Sequence, residues 1–331
     1  MPEPSRPRPA TARGAHAALA LTLLLALALA VPAWAAPAVR IGYLQSDIHH
    51  LACWVALEKG LYQAEGVKVE VAGAFKAGPE LMSAFSARAL DLGYVGEAPA
   101  TTAVANLAAR VVVLAQVNTE GSALVVRKGS AVKSVADLQN RGAAVPGFST
   151  VQDFLLRKAL AQAKVDPQSV NIMVIKPPEM ISALRTGQIE AFIAWQPHPA
   201  KAETMGVGQP LMDSGEIWKD HPCCVLACDE NFLRERREEA LGMVRAHLKA
   251  NAFIAARPEE ALAIGVKYTG MDEATVRLAM KRVKYTPELS VEGERDYVEF
   301  LNRLGYIKVG DVDAFMKSFL NSELLEQARG K

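Results

Sequence analysis

Four cysteines in 331 residues are too few for a small scaffold stapled by disulfides. Net charge is also nearly absent. The 37 basic and 36 acidic side chains leave +1, so no basic field draws the chain to nucleic acid. Beyond residue 35 no stretch holds 18 consecutive apolar residues, which argues against a later membrane span. The chain has no GxSxG elbow, no P-loop and no GxGxxG after a strand. It also lacks HExxH and a paired CxxC, and His49, His50, His198, His221 and His247 form no triad by spacing. No catalytic residue, metal ligand set or cofactor is therefore assigned. What remains is 50% hydrophobic and 22% charged, a globular composition long enough for two domains of about 150 residues.

The N-terminus reads as an address. Arg6, Arg8 and Arg13 precede an apolar run from Ala17 to Val31, broken only by Thr22, and Ala33-x-Ala35 follows as a small-x-small exit. That pattern predicts a cleaved secretory signal over 1–35 and a periplasmic destination. Losing three arginines and one glutamate would leave 34 basic and 35 acidic side chains, a net of −1.

The remaining chain alternates short apolar runs with helical periodicity. Val39–Leu44, Val67–Ala72, Leu90–Val95 and Val111–Val117 read as strands, separated by helical stretches. A second alternation runs from Leu124 through Ala143–Val145, Val170–Ile175 and Ile189–Trp195 to Cys223–Cys228, and helices fill the rest. The rhythm predicts an α/β protein of two lobes, each a mostly parallel sheet flanked by helices, joined by two hinge crossings. Residues 36–122 and 229–331 are assigned to lobe 1 with a C-terminal helical tail, and 123–228 to lobe 2. Ligands of open α/β sheets sit beyond the carboxyl ends of strands, so the interlobe cleft is the expected site.

Four segments carry a resemblance: Gly42-Tyr43, Asp91-Leu92-Gly93-Tyr94-Val95-Gly96-Glu97-Ala98-Pro99, Gly142 to Thr150, and Gly187 to Pro197. In this order and spacing the chain resembles periplasmic solute-binding proteins of the nitrate/sulfonate/taurine group of ABC importers, over Val39 to about Leu325. The resemblance implies a type II two-lobed fold without catalytic activity. It also implies a monomer that closes on a small anion and hands it to an inner-membrane permease and its ATPase.

Particular residues fit that expectation. Ser149 and Thr150 open a long helix, whose N-terminal N–H groups suit an anion, and Ser149-x-x-Gln152 also reads as a capping box. Gly96 permits a tight strand-to-helix turn ahead of Pro99. Glu97 departs from the small hydroxyl residues usual in the family and suits a ligand bearing an amine. Trp195 ends a strand and offers a flat wall and an N–H. Gln45, Ser46, Gln116 and Asn118 follow or flank strand ends and should reach the cleft, and His50 joins them as a substrate contact.

The histidines and cysteines leave alternatives open. His49, His50 and Cys53 share a predicted helix face, and His221, Cys223, Cys224 and Cys228 cluster later. His49, His50, Cys53, His221 and Cys224 could serve a soft metal. Strand alternation would put Cys224 and Cys228 on one side and Cys223 on the other. Four cysteines allow three complete pairings. The run also resembles a thinner version of the iron-binding stretch of thiamine-branch pyrimidine synthases. A binding protein for a related heterocycle, stacked on Trp54, Phe148 or Trp195, is therefore the second expectation.

Overall fold

A computed structural model describes residues 1–4 and 37–330, and the predicted export segment lies almost wholly outside them. Eleven strands form two sheets among the described residues. The six-stranded sheet contains β1 (Val39–Leu44), β2 (Val69–Phe75), β3 (Leu92–Gly96), β4 (Val111–Glu120), β10 (Pro222–Asp229) and β11 (Val283–Tyr285), in the order β11-β4-β10-β3-β1-β2. The five-stranded sheet contains β5 (Ser122–Arg127), β6 (Gly142–Val145), β7 (Asn171–Val174), β8 (Ala191–Trp195) and β9 (Gly208–Asp213), in the order β7-β6-β8-β5-β9. Helices used below are α1 (Leu51–Glu58), α2 (Gly78–Ser86), α3 (Glu97–Ala105), α4 (Val151–Gln162), α5 (Arg237–Ala256) and α6 (Val291–Arg303).

The continuous apolar runs explain the central strands. β3 and β8 are buried at every residue, as expected for strands covered on both faces by helices. The two-lobed α/β architecture agrees with the sequence reading, but the sheets are mixed. β1 pairs parallel with β2 and β3, and β6 pairs parallel with β7 and β8. The strands next to the crossings run the other way: β10 is antiparallel to β3 and β4, and β5 is antiparallel to β8 and β9. A strand that leaves one lobe for the other has no returning crossover helix, so it is free to pair antiparallel.

The first crossing is a single residue. Gly121 lies between β4 and β5 with φ +87°, a left-handed conformation that glycine adopts without penalty. The second runs from β9 through the short helix Ser214–Ile217 into β10. The sequence reading ended the second lobe at Cys228. The structure instead places the whole strand Pro222–Asp229 between β3 and β4, so Cys223, Cys224 and Cys228 belong to the six-stranded sheet.

Candidate functional site

The carboxyl ends of β1 and β3, the start of β10 and the start of α4 converge between the lobes. The first wall of the resulting cleft carries Leu44, Asp47, Gly96, Cys223 and Cys224, and the second carries Thr150, Val151, Gln152 and Trp195. The space between them is about 10 Å³, room for about one water molecule, so the lobes stand closed. No lysine or arginine is among the described residues that line it.

The first wall is built from a turn and a bulge. Asp47 caps the turn Ile48–His50, its Oδ1 accepting from the His49 N–H at 3.0 Å. The buried turn holds His50 by a hydrogen bond from the Leu44 N–H to its Nδ1 at 3.0 Å. His49 Nε2 lies 2.7 Å from the Gly121 carbonyl in the first crossing. Strand alternation fails in β10, whose register shifts on both sides of Cys224. The bulge therefore turns both neighbouring thiols to His49, with Cys223 Sγ 3.5 Å and Cys224 Sγ 3.6 Å from its Nδ1. This corrects the expectation that Cys223 and Cys224 face opposite ways.

These groups perturb one another because all are buried. Burial pushes the Asp47 carboxyl up to about 7, against the charge of His49. Burial opposes charge on His49 as well, but Asp47 and Cys223 outweigh it and hold the imidazolium up to about 9. Burial likewise opposes a Cys223 thiolate, yet the Cys224 thiol and His49 pull its pKa well below the usual range. Cys224 goes the opposite way, raised by burial and by Cys223.

The second wall is neutral. Thr150 is the N-cap of α4: its Oγ1 accepts from the Asp153 N–H at 3.2 Å and donates to the Gly147 carbonyl at 2.7 Å. The cap falls one residue later than Ser149-x-x-Gln152 predicts, because Ser149 takes a left-handed turn at φ +61°. Ser149 is half-buried, its N–H donates to Asp153 Oδ2 at 3.0 Å, and it lines an outer groove instead of the cleft. Gln152 Nε2 donates to Ser122 Oγ at 2.9 Å, tying the first turn of α4 to the start of β5, next to the first crossing. Trp195 is 2% exposed and belongs to a buried apolar cluster with Leu44, Leu81 and Val95 of the opposite lobe, while its Nε1 has no hydrogen-bond partner.

Several predicted residues point elsewhere. Gln45 is exposed, and its Nε2 donates to the Ala74 carbonyl at 3.1 Å. Ser46 donates to the Thr269 carbonyl at 3.1 Å. Asn118 is buried in β4, its Nδ2 donating to the Glu120 carbonyl at 3.0 Å. Glu97 does not open onto the cleft. It is 1% exposed, accepts from Gln116 Nε2 at 3.0 Å and faces Glu294 of α6. Burial raises Glu97 to about 7, although Glu294 and Gln116 partly offset it, and Glu294 is pushed well above the carboxylate range by burial and by Glu97. One of the pair therefore keeps a proton, and neither serves as a free anion. Cys53 packs beside Tyr62 and Tyr94 in the core, and burial pushes its thiol up to about 12. All four cysteines are unpaired. Asp47 was missed by the sequence reading, although Asp47-x-His49-His50 carries a recognisable cap signal for the turn.

No helix among the described residues is long and apolar enough to cross a membrane. The pattern of the NMT1-like family matches residues 34–265. A candidate binding protein of Brucella abortus is 30% identical over 263 residues, covering 78% of this chain and 80% of that protein. A candidate aliphatic sulfonates-binding protein of Escherichia coli is 27% identical over 242 residues, 71% of this chain and 72% of its own. The crystal structure of the periplasmic nitrate-binding protein NrtA of Synechocystis superposes with a TM-score of 0.79 at 17% identity, covering 88% of each chain.

Proposed function

Because the chain belongs to the NMT1-like family, we propose that it is the solute-binding component of an ABC importer for a small organic anion. The solute enters with the lobes apart, is held as they close, and passes unaltered to a permease powered by an ATPase. The protein works in the periplasm as a monomer. Relatives named for nitrate and for aliphatic sulfonates support this solute class.

The observation that carries the reading is that Trp195, whose buried Nε1–H has no acceptor, lines the cleft beside the start of α4. A buried donor without an acceptor costs free energy, on the order of 1–3 kcal/mol, unless a ligand accepts from it. The first N–H groups of α4 have no acceptor within their own helix, and the helix dipole favours negative charge there. Together they present neutral donors from one wall to a single anionic group. Closure over that group is a shift between two lobe arrangements, driven by its better contacts in the closed one.

Calorimetric titration with taurine, longer alkanesulfonates, nitrate and a neutral pyrimidine tests the proposal. One-to-one binding of an anion from this panel supports it. Binding of the pyrimidine alone, with every anion inert, replaces it with the heterocycle reading.

A further inference from the structure

The first wall contains a group of donors that solute binding by the second wall does not use. His49 Nε2 faces a carbonyl oxygen, which only accepts, so this nitrogen carries the hydrogen. The other ring nitrogen, Nδ1, is then the one turned to Cys223 and Cys224, at 3.5 and 3.6 Å, and to Asp47 Oδ1 at 3.4 Å. The two sulfurs are 3.9 Å apart. A second set interlocks with the first. The ligand atoms of Asp47, His50 and Cys224 also fall within 4.8 Å of one another, all buried. His50 Nε2 has no hydrogen-bond partner and lies 3.8 Å from Asp47 Oδ2.

The spacings match a coordination shell. Ligands at the usual zinc distances to sulfur and nitrogen, arranged tetrahedrally, stand about 3.8 Å apart for two sulfurs, about 3.6 Å for sulfur and nitrogen, and about 3.4 Å for nitrogen and oxygen. The bond from Nε2–H to the Gly121 carbonyl is the outer partner that a metal-bound histidine characteristically has.

We propose that His49 Nδ1, Cys223 Sγ and Cys224 Sγ form a three-ligand binding site for a soft divalent cation of the zinc class at the floor of the cleft, with the Asp47 carboxylate beside it, 3.4 Å from His49 Nδ1. His50 and Asp47 stand close behind, forming the second set with Cys224. Cys53 and His221, the other members of the set considered from sequence, are not in it. Thiolate and imidazole ligands select this class over magnesium or calcium. Binding displaces the protons on His49 and Cys224, so the ion takes the place of the imidazolium charge at the floor of the cleft. Through His49 the ion also bears on Gly121, so loading fixes the ring against the first crossing. The site is independent of which solute the second wall takes.

Cobalt(II) titration of the metal-free, reduced protein tests this. The expected result is an intense thiolate-to-cobalt charge-transfer band that saturates at one cobalt per chain and disappears when zinc is added. Cys223→Ser and Cys224→Ser should each weaken the band and the affinity, and His49→Gln should lower affinity by about 100-fold or more. Cys53→Ser, which removes a buried thiol outside the set, should leave the titration unchanged. Circular dichroism of each variant separates lost ligands from lost fold. If a variant does not fold, the wild-type band and its stoichiometry still decide. No charge-transfer band in the wild type overturns the proposal, as does a band that survives in both cysteine variants.

Discussion

The six-stranded lobe lines the cleft with a carboxyl and two thiols, with His49 against the thiols, whereas the five-stranded lobe lines it with a helix end and an indole ring. Both walls contribute a buried histidine nearby, and the two have opposite fates. His49 sits against Asp47 and Cys223, which outweigh burial and hold it protonated up to about 9. His198 follows β8, has no hydrogen-bond partner on either ring nitrogen, and is pushed down to about 4 by burial alone. Burial is the same in both places, so neighbouring charge decides the sign. Under the two proposals above, the first wall takes a cation and the second an anion's oxygen atoms, and a closed cleft offers both.

The residue that joins the walls should give the largest effect. A Cβ on Gly121 would stand 2.4 Å from His49 Nε2, on a backbone with φ +87°. Gly121→Ala should cost about 3 kcal/mol through strain and the lost His49 contact, read as a lower midpoint in urea unfolding. An unchanged midpoint would mean that the crossing does not depend on this contact.

The histidine contrast sharpens next, by NMR titration of the imidazoles in metal-free protein. His49 should lose its proton only toward about 9, and His198 should stay neutral until about 4. The signs for stability follow. The folded pKa of His198 lies below its unfolded 6.5, so its contribution is present above 6.5 and is lost as pH falls through 4. That loss amounts to about 3 kcal/mol for a shift of this size. His49 does the reverse: its contribution is present below 6.5 and is lost as pH rises through about 9. Two coincident titrations would remove the distinction between the walls.

The smallest effect belongs to a residue on neither wall. Gln45→Ala should change stability by less than about 0.5 kcal/mol and leave solute binding as it was, because the side chain is exposed and turned to Ala74. A tenfold loss of solute affinity would return Gln45 to the cleft.

The same contrast shows how far the sequence could be read. The alternation of apolar strands and helices was legible because burial on both faces writes itself as continuous Val/Ile/Leu runs. Thr150, Gly96 and Trp195 were legible because a strand end or helix start sets their position whatever the rest of the fold does. Gln45, Ser46, Asn118 and Glu97 lie in the expected segments, but the direction of a side chain there depends on partners far away in sequence, such as Thr269 and Glu294. The antiparallel course of β10 depends on its returning from the other lobe. Its bulge at Cys223 and Cys224 depends on its pairing with β4, and no local pattern announces it.

The central claim is that the cleft takes a small anion through the donors of the second wall. Its most direct test is calorimetry of the bound anion with wild-type protein and with Trp195→Phe, which keeps an aromatic ring and removes the unpaired N–H. The account predicts one solute per wild-type chain, about tenfold weaker binding in the variant, and recovery of the solute chemically unchanged. Equal affinity in both proteins, or a solute recovered in altered form, would contradict it.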